Sequence, residues 1–310
     1  MSEPAPPFGR VLTAMVTPFT DDGSVDYARA RSLALALLDS GSDGLVVCGT
    51  TGESPTLTRE EKLRLFGEIK EAVAGRGAVI AGTGTYSTAE SVDLSREAER
   101  LGADGLLLVV PYYNKPTQEG LYRHFAAIAG AVSIPCVLYN VPSRTVTNLT
   151  AETAVRLSQV PNIVGVKEAS GDLEQIARVI RGAGPGFLVW SGNDQDTLPI
   201  LSIGGYGVVS VVSHLVGRQV AEMIDAFVRG DTGRAGELHL RLLPLVKVLF
   251  LVANPIPLKY ALAQVGFPVG GLRLPLCEPD EATARAIRDE LARHTIDLPA
   301  REAAPGFARR

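Results

Sequence analysis

The sequence predicts an α/β fold: a parallel (β/α)8 TIM barrel with a C-terminal helical appendage. Three observations predict it. Eight short apolar runs alternate with helical runs at a spacing of about 25 to 30 residues. The chain has 310 residues and is 46% hydrophobic, enough for one barrel-sized core. No Gly-x-Gly-x-x-Gly follows the first strand, which makes a doubly wound open sheet the runner-up.

Residues 11–19 read as the first strand, ending near Pro18, and Asp26 can cap a helix that Gly41 stops. Residues 45–48 form strand two and enter Gly49-Thr50-Thr51-Gly52-Glu53. Thr58 with Glu61 three residues on is a capping-box pattern that opens the next helix. Residues 78–82 are strand three, and Thr88 starts its helix. Residues 106–110 are strand four, followed by Pro111-Tyr112-Tyr113-Asn114 and a helix over 118–131. Residues 136–141 are strand five, and Thr150 caps the helix that follows. Strand six is 163–168, strand seven 187–190 and strand eight 208–212, with a helix over 216–229. Three further helical runs, 234–252, 256–265 and 279–294, exceed what the barrel needs. The expected division is an extension at 1–10, the barrel at 11–230, the appendage at 231–298 and a mobile tail at 299–310.

Composition excludes several classes. Net charge is −4 with both signs spread along the chain, so there is no basic stripe for nucleic acid. The proline-rich start has no apolar signal core. The most apolar stretch, 242–258, is broken by Lys247, Asn254, Pro255 and Pro257, so no membrane span is expected. Cys48, Cys136 and Cys277 are too scattered for a disulfide frame, which fits a reduced, cytoplasmic protein, and core packing is expected for the first two. His124, His214, His239 and His294 stand apart, so no metal centre is expected.

Strand six carries the unusual residue. Side chains alternate along a strand, so Ile163, Gly165, Lys167 and Ala169 should share one face. A lysine between two valines in a covered strand is costly to desolvate, and desolvation favours the neutral amine that attacks a carbonyl. Gly165 should leave space beside its stem. The plain alternative is a lysine at a strand end with its head in water.

A (β/α)8 barrel places its chemistry at the C-terminal ends of the strands. Those ends carry Thr50 and Thr51, Tyr112 and Tyr113, Tyr139 and then Arg144, Lys167, and Gly192 with Asn193. The set suits imine chemistry. The lysine condenses with a keto group, hydroxyls relay protons, and the arginine offers a planar fork for a carboxylate. Each residue has a plainer reading: turn threonines, a core tyrosine, a solvated loop arginine. Glu53, Glu168 and Asp172 read as helix-start or strand-end charges. The joint placement around Lys167 favours the catalytic reading.

Several segments resemble a known family. Gly49-Thr50-Thr51-Gly52-Glu53-Ser54, Pro111-Tyr112-Tyr113-Asn114, Tyr139-Asn140-Val141-Pro142-Ser143-Arg144-Thr145 and Gly165-Val166-Lys167-Glu168-Ala169 are similar to the 4-hydroxy-tetrahydrodipicolinate synthase (dihydrodipicolinate synthase) family. So are Asn254-Pro255-Ile256-Pro257-Leu258-Lys259 and Leu272-Arg273-Leu274-Pro275, and the likeness runs from about residue 11 to 292. The lysine motif is shared by the wider superfamily of pyruvate-dependent lyases; the double threonine and the Arg144 motif are narrower. Asn193 departs from the aspartate common there, with little consequence expected.

The resemblance implies condensation of pyruvate with L-aspartate 4-semialdehyde on the lysine and diaminopimelate route. It implies no separate cofactor: Lys167 forms the pyruvate imine. Tyr139, Thr51 and Tyr113 form the proton relay. Thr50 and Thr51 hold the pyruvate carboxylate, with the Val209 backbone and Gly192 nearby, and Arg144 binds the semialdehyde carboxylate at the entrance. It further implies a homotetramer built as a dimer of dimers, in which Tyr113 reaches the neighbour's site. Inhibited bacterial members bind lysine near the second barrel helix. Here Arg59, Lys62 and Tyr86 replace two histidines and an asparagine of that pocket, while Glu90 and Tyr112 remain, so a degenerate pocket is expected. Two alternatives stay open: another aldolase of the superfamily acting on a sugar-derived keto acid, and a non-catalytic keto-acid sensor.

Overall fold

Eight parallel strands close into a barrel, each paired with the next and β8 with β1. The computed structural model describes residues 6–299; the tail expected at 299–310 lies, but for Pro299, outside them. The strands are β1 (Val11–Ala14), β2 (Gly44–Val47), β3 (Ala78–Gly82), β4 (Gly105–Val109), β5 (Cys136–Asn140), β6 (Ile163–Glu168), β7 (Leu188–Ser191) and β8 (Gly207–Ser210). Between and after them lie α1 (Tyr27–Asp39), α2 (Arg59–Val73), α3 (Thr88–Arg100), α4 (Gln118–Ala129), α5 (Pro142–Thr145), α6 (Ala151–Leu157), α7 (Leu173–Ala183), α8 (Thr197–Ser202) and α9 (Ser213–Val228). Three helices follow the barrel: α10 (Thr232–Val248), α11 (Ile256–Gln264) and α12 (Glu281–Leu291).

Alternation along each strand produces two cores. Leu12, Val46, Ile80, Leu107, Tyr139 and Trp190 fill the barrel interior, and a larger shell joins the outer strand faces to the helices. Cys48 and Cys136 are buried there, and burial pushes both thiols up to about 12, as suits packing residues. Helix starts are fixed locally. The Asp26, Thr58, Thr117, Thr150 and Asp172 side chains each accept a backbone N–H of the first turn, and Thr58 with Glu61 completes the capping box.

Four local expectations need correction. β1 ends at Ala14, not near residue 19, because Phe19 leaves the sheet to bridge Val25. Ile163 does not share the face of Lys167: a register irregularity between β5 and β6 turns it into the outer shell, while Val164 packs inward. Gly165 does not leave empty space beside Lys167. A Cβ there would lie 2.8 Å from the Trp190 ring and 2.2 Å from the Leu188 carbonyl, so the glycine admits the tryptophan. The one-turn helix α5 and the short α8 escaped the periodicity reading because neither is long enough to show a 3.6-residue period.

Candidate active site

The C-terminal ends of β2 to β5 surround a cavity of about 220 Å³. Two glycines in its lining let neighbouring backbone approach closely. A Cβ on Gly82 would lie 2.5 Å from the Cys48 carbonyl, and one on Gly84 would lie 2.4 Å from the Val109 nitrogen. Thr50, Tyr112, Tyr139 and Arg144 are on the wall. Arg144 sits on α5, whose start Pro142 is preset for a helix, and its guanidinium is exposed.

Lys167 is 5% exposed and opposite Tyr139 in the β5–β6 register. Its Nζ lies 4.2 Å from the centre of the Tyr139 ring, a cation–π contact that joins it to the cavity wall. The plain alternative of a solvated strand-end lysine is therefore excluded. Among the described residues no histidine, cysteine or carboxylate cluster could hold a metal ion.

The other expected residues are placed as follows. Thr51, next to Thr50 in the loop, is buried, and its Oγ1 accepts a hydrogen bond from Asn254 Nδ2 at 2.9 Å. Val209 lies inside the barrel on β8. Gly192 follows β7 and donates its N–H to the Glu168 carbonyl at 2.7 Å; a Cβ would strike Ala169 at 2.7 Å. Asn193 donates to Asp196 on the surface side, while its neighbour Asp194 is buried, accepting from Ser210 and from the Val211 and Val212 amides. Tyr113 is not in the cavity. It is 92% exposed, with a φ of +74°.

Two charges read as strand-end groups are not solvated. Glu168 is buried and accepts from Asn140 and from the Ser170 amide, and burial raises its pKa. Glu53 lies 2.6 Å from Lys259 with both side chains almost fully buried. Burial pulls the Lys259 pKa down against the attraction of Glu53. Lys259 also donates to the Gly271 carbonyl at 2.8 Å, and Arg273 forms a two-pronged pair with Glu61 at 2.6 and 2.7 Å. Residues 254–273 thus grip the loop that bears Thr50 and Thr51. Sequence reasoning missed this grip. The only signal was that Glu53, Asn254, Lys259 and Arg273 all lie in segments carrying the family likeness.

Arg59, Lys62 and Glu90 line a separate cavity of about 60 Å³ between α2 and α3. Arg59 pairs with Asp93 at 2.7 Å, and Lys62 is buried rather than solvated. Tyr86 and Tyr112 meet edge to face beside it, ring centres 5.3 Å apart.

Residues 7–294 match the dihydrodipicolinate synthetase family. The chain belongs to this family. A 4-hydroxy-tetrahydrodipicolinate synthase of Dehalococcoides mccartyi is 63% identical over 94% of this chain and 98% of its own length. One from Symbiobacterium thermophilum is 59% identical over 93% and 98%. Among solved structures, a lysine-bound dihydrodipicolinate synthase from Cyanidioschyzon merolae superposes with TM-score 0.91 at 50% identity, covering 93% of this chain and 98% of that one. Within the dihydrodipicolinate synthetase family the closed parallel barrel and its C-terminal helices are therefore the expected architecture, and this chain has it.

Proposed function

We propose that this chain condenses pyruvate with L-aspartate 4-semialdehyde to 4-hydroxy-tetrahydrodipicolinate through an imine on Lys167. It is a lyase of lysine and diaminopimelate biosynthesis. The observation that carries the assignment is the buried Lys167 against the Tyr139 ring, beside a cavity with one exposed guanidinium at its rim.

The Lys167 nitrogen adds through its lone pair to C2 of pyruvate; the carbinolamine hydroxyl takes a proton from the relay and leaves as water, giving a protonated imine. The Tyr139 ring face lies where that cation forms and favours it. The imine withdraws electrons from the methyl carbon, which loses a proton and attacks the aldehyde carbon of the second substrate. The resulting alkoxide takes up a proton. The amino group of the semialdehyde portion then adds to C2 and displaces Lys167, closing the ring and freeing the amine. Tyr139, Tyr113 and a threonine hydroxyl move the protons. Thr50 is on the cavity wall, so we assign it the relay given above to Thr51, and Thr51 serves the carboxylate. The Val209 backbone and Gly192 contact the pyruvate, as the family resemblance implies, and Arg144 takes the semialdehyde carboxylate through its planar fork.

The exposure of Tyr113 supports an oligomer in which this phenol completes a neighbour's site. We assign a homotetramer built as a dimer of dimers. One relative, 43% identical, is described as a monomeric variant, so light scattering of the purified protein is the test of this assignment. No helix among the described residues is long and apolar enough to cross a membrane, and a cytoplasmic location fits the reaction.

Purified protein given pyruvate and L-aspartate 4-semialdehyde should form the product, with activity retained in EDTA. Borohydride added with pyruvate should leave a stable adduct on the peptide containing Lys167. An adduct on another lysine, or turnover only by retro-aldol release of pyruvate from sugar acids, overturns the assignment.

A further inference from the structure

We propose that Asn254, from the segment between α10 and α11, is a positioning residue that turns the Thr51 hydroxyl into an obligate donor for the carboxylate of the keto acid. The inference rests on the imine function proposed above and assigns part of its substrate selectivity to a residue outside the barrel. Asn254 and Thr51 are 6% and 2% exposed. The Asn254 amide N–H donates to Thr51 Oγ1 at 2.9 Å, the hydrogen bond formed by that hydroxyl among the described residues. A threonine oxygen carries one hydrogen and accepts through its lone pairs. With an acceptor site of Oγ1 occupied by Asn254, the hydroxyl hydrogen is left unspent, and no acceptor among the described residues takes it. A buried donor without a partner is costly until an acceptor arrives. A carboxylate is the acceptor that gains most, because a bond to a charged group is the stronger kind.

The geometry is held from outside as well as from within. Glu53, two residues after Thr51, is clamped by Lys259, and the Arg273 amide donates to the other Glu53 oxygen at 3.1 Å. Lys259 and Arg273 both lie over the Phe19 ring, at 4.0 and 4.5 Å from its centre. Thr17 fixes the next residue by donating to the Gly52 carbonyl at 2.7 Å. The loop backbone is thus fixed independently of Asn254, so a change of the Asn254 head group alters which partner donates rather than where Thr51 sits.

Asn254→Asp keeps size and shape but replaces the donor with an acceptor. The Thr51 hydrogen then turns to Asp, and the substrate carboxylate loses a donor and meets a second negative charge. The KM for pyruvate should rise at least tenfold, kcat should fall less than threefold, and the KM for the semialdehyde should change less than twofold. Borohydride trapping at saturating pyruvate should still reach completion on Lys167. In a Thr51→Val background the same substitution should add less than a twofold effect, since the group it acts through is gone. Asn254→Ala carries the test if the aspartate variant misfolds, with the same pattern at smaller amplitude. A pyruvate KM within twofold of wild type, or a full additional effect on Thr51→Val, overturns the proposal. Failure of both variants to fold also overturns it, making Asn254 a folding residue. If wild-type protein forms neither imine nor product, it is the parent function that fails, and the two failures cannot be confused.

Discussion

The loop after β2 and the turn after β4 flank one cavity, but they are held by different parts of the chain. Residues 48–57 are gripped by the C-terminal segment: Glu53 pairs with Lys259, Thr51 accepts from Asn254, and Arg273 reaches Glu61 and the Thr56 carbonyl. Residues 110–117 are tied back more lightly: the Val110 amide donates to the Tyr139 carbonyl at 2.9 Å, Asn114 donates to the Tyr86 carbonyl at 3.1 Å, and Tyr112 packs on Tyr86. Both contain non-glycine residues at positive φ, Cys48 and Glu53 in the first and Tyr113 and Lys115 in the second. Such residues cost about 1–3 kcal/mol each and persist where surrounding structure enforces them. For the first loop that structure is in the chain. For the second little of it is found among the described residues, and a bulky phenol stands in solvent. The difference teaches that the chain itself holds one side of the site, while Tyr113 on the other side stands where the oligomer proposed above would use it.

The comparison can be broken most forcefully at the buried ion pair. Lys259→Met leaves the Glu53 carboxylate buried without a cation, which costs about 3–5 kcal/mol. The midpoint of denaturant unfolding should fall accordingly, and activity should fall with it. Adding Glu53→Leu should recover much of the stability, because two packed apolar groups replace a broken pair. An unchanged midpoint for Lys259→Met would show that the clamp holds nothing. Tyr113→Phe, on the other loop, should leave the midpoint unchanged.

Arg144 resembles Tyr113 rather than Thr51: it is exposed and its guanidinium is unspent among the described residues. Hydrogen bonds to charged groups contribute roughly 1.5–3 kcal/mol. Arg144→Ala should therefore lower kcat/KM for the semialdehyde by about one to two orders of magnitude, with pyruvate trapping on Lys167 much less affected. Equal losses in both steps would make Arg144 structural.

Tyr113→Phe sharpens the comparison further. Turnover should fall through loss of a proton carrier, and mixed oligomers of Tyr113→Phe with Lys167→Ala subunits should regain activity, because an intact Tyr113 then serves an intact Lys167. Mixed oligomers that stay inactive would mean that each site is complete within one chain.

The same contrast explains what could be read from residues alone. Strand ends are marked by local signals, an apolar run and then a turn, so Thr50, Tyr139 and Lys167 could be assigned to one rim from the periodicity and the rule that barrel chemistry gathers there. The clamp could not. Glu53 and Lys259 are 206 residues apart (259 − 53), and nothing in the window around either reveals a partner. Glu53 at a turn has the local appearance of a solvated charge, and only tertiary packing makes it a buried one. The face of Ile163 was lost for a related reason, since a register irregularity depends on the neighbouring strand. Tyr113 marks the opposite limit: its motif was legible, but its side chain is 92% exposed, and the role proposed for it needs a neighbouring copy.

The smallest expected effect is at the cavity between α2 and α3. A relative was solved with lysine bound, and the family resemblance puts a lysine pocket near the second barrel helix, which raises the question of feedback by the pathway's end product at this cavity. Lysine brings an extra ammonium. Arg59 is offset by Asp93 at 2.7 Å, which removes part of the opposition. Lys62 is not offset: it is buried, lines the cavity and forms no ion pair among the described residues. Unit charges 4 Å apart at an effective dielectric near 20 interact by about 4 kcal/mol. A ligand with a Kd of about 1 mM gains only about 4 kcal/mol in total, so repulsion of that size cancels it. Tyr86 adds bulk at the same edge and is held there by Tyr112. Glu90 alone supplies a counter-charge, and it already accepts from the Thr85 hydroxyl at 3.1 Å. Activity should therefore stay flat as lysine is raised through the millimolar range. Saturable inhibition below about 1 mM that disappears in Glu90→Ala would show that Glu90 outweighs Lys62, and that the cavity still binds lysine through a changed set of contacts.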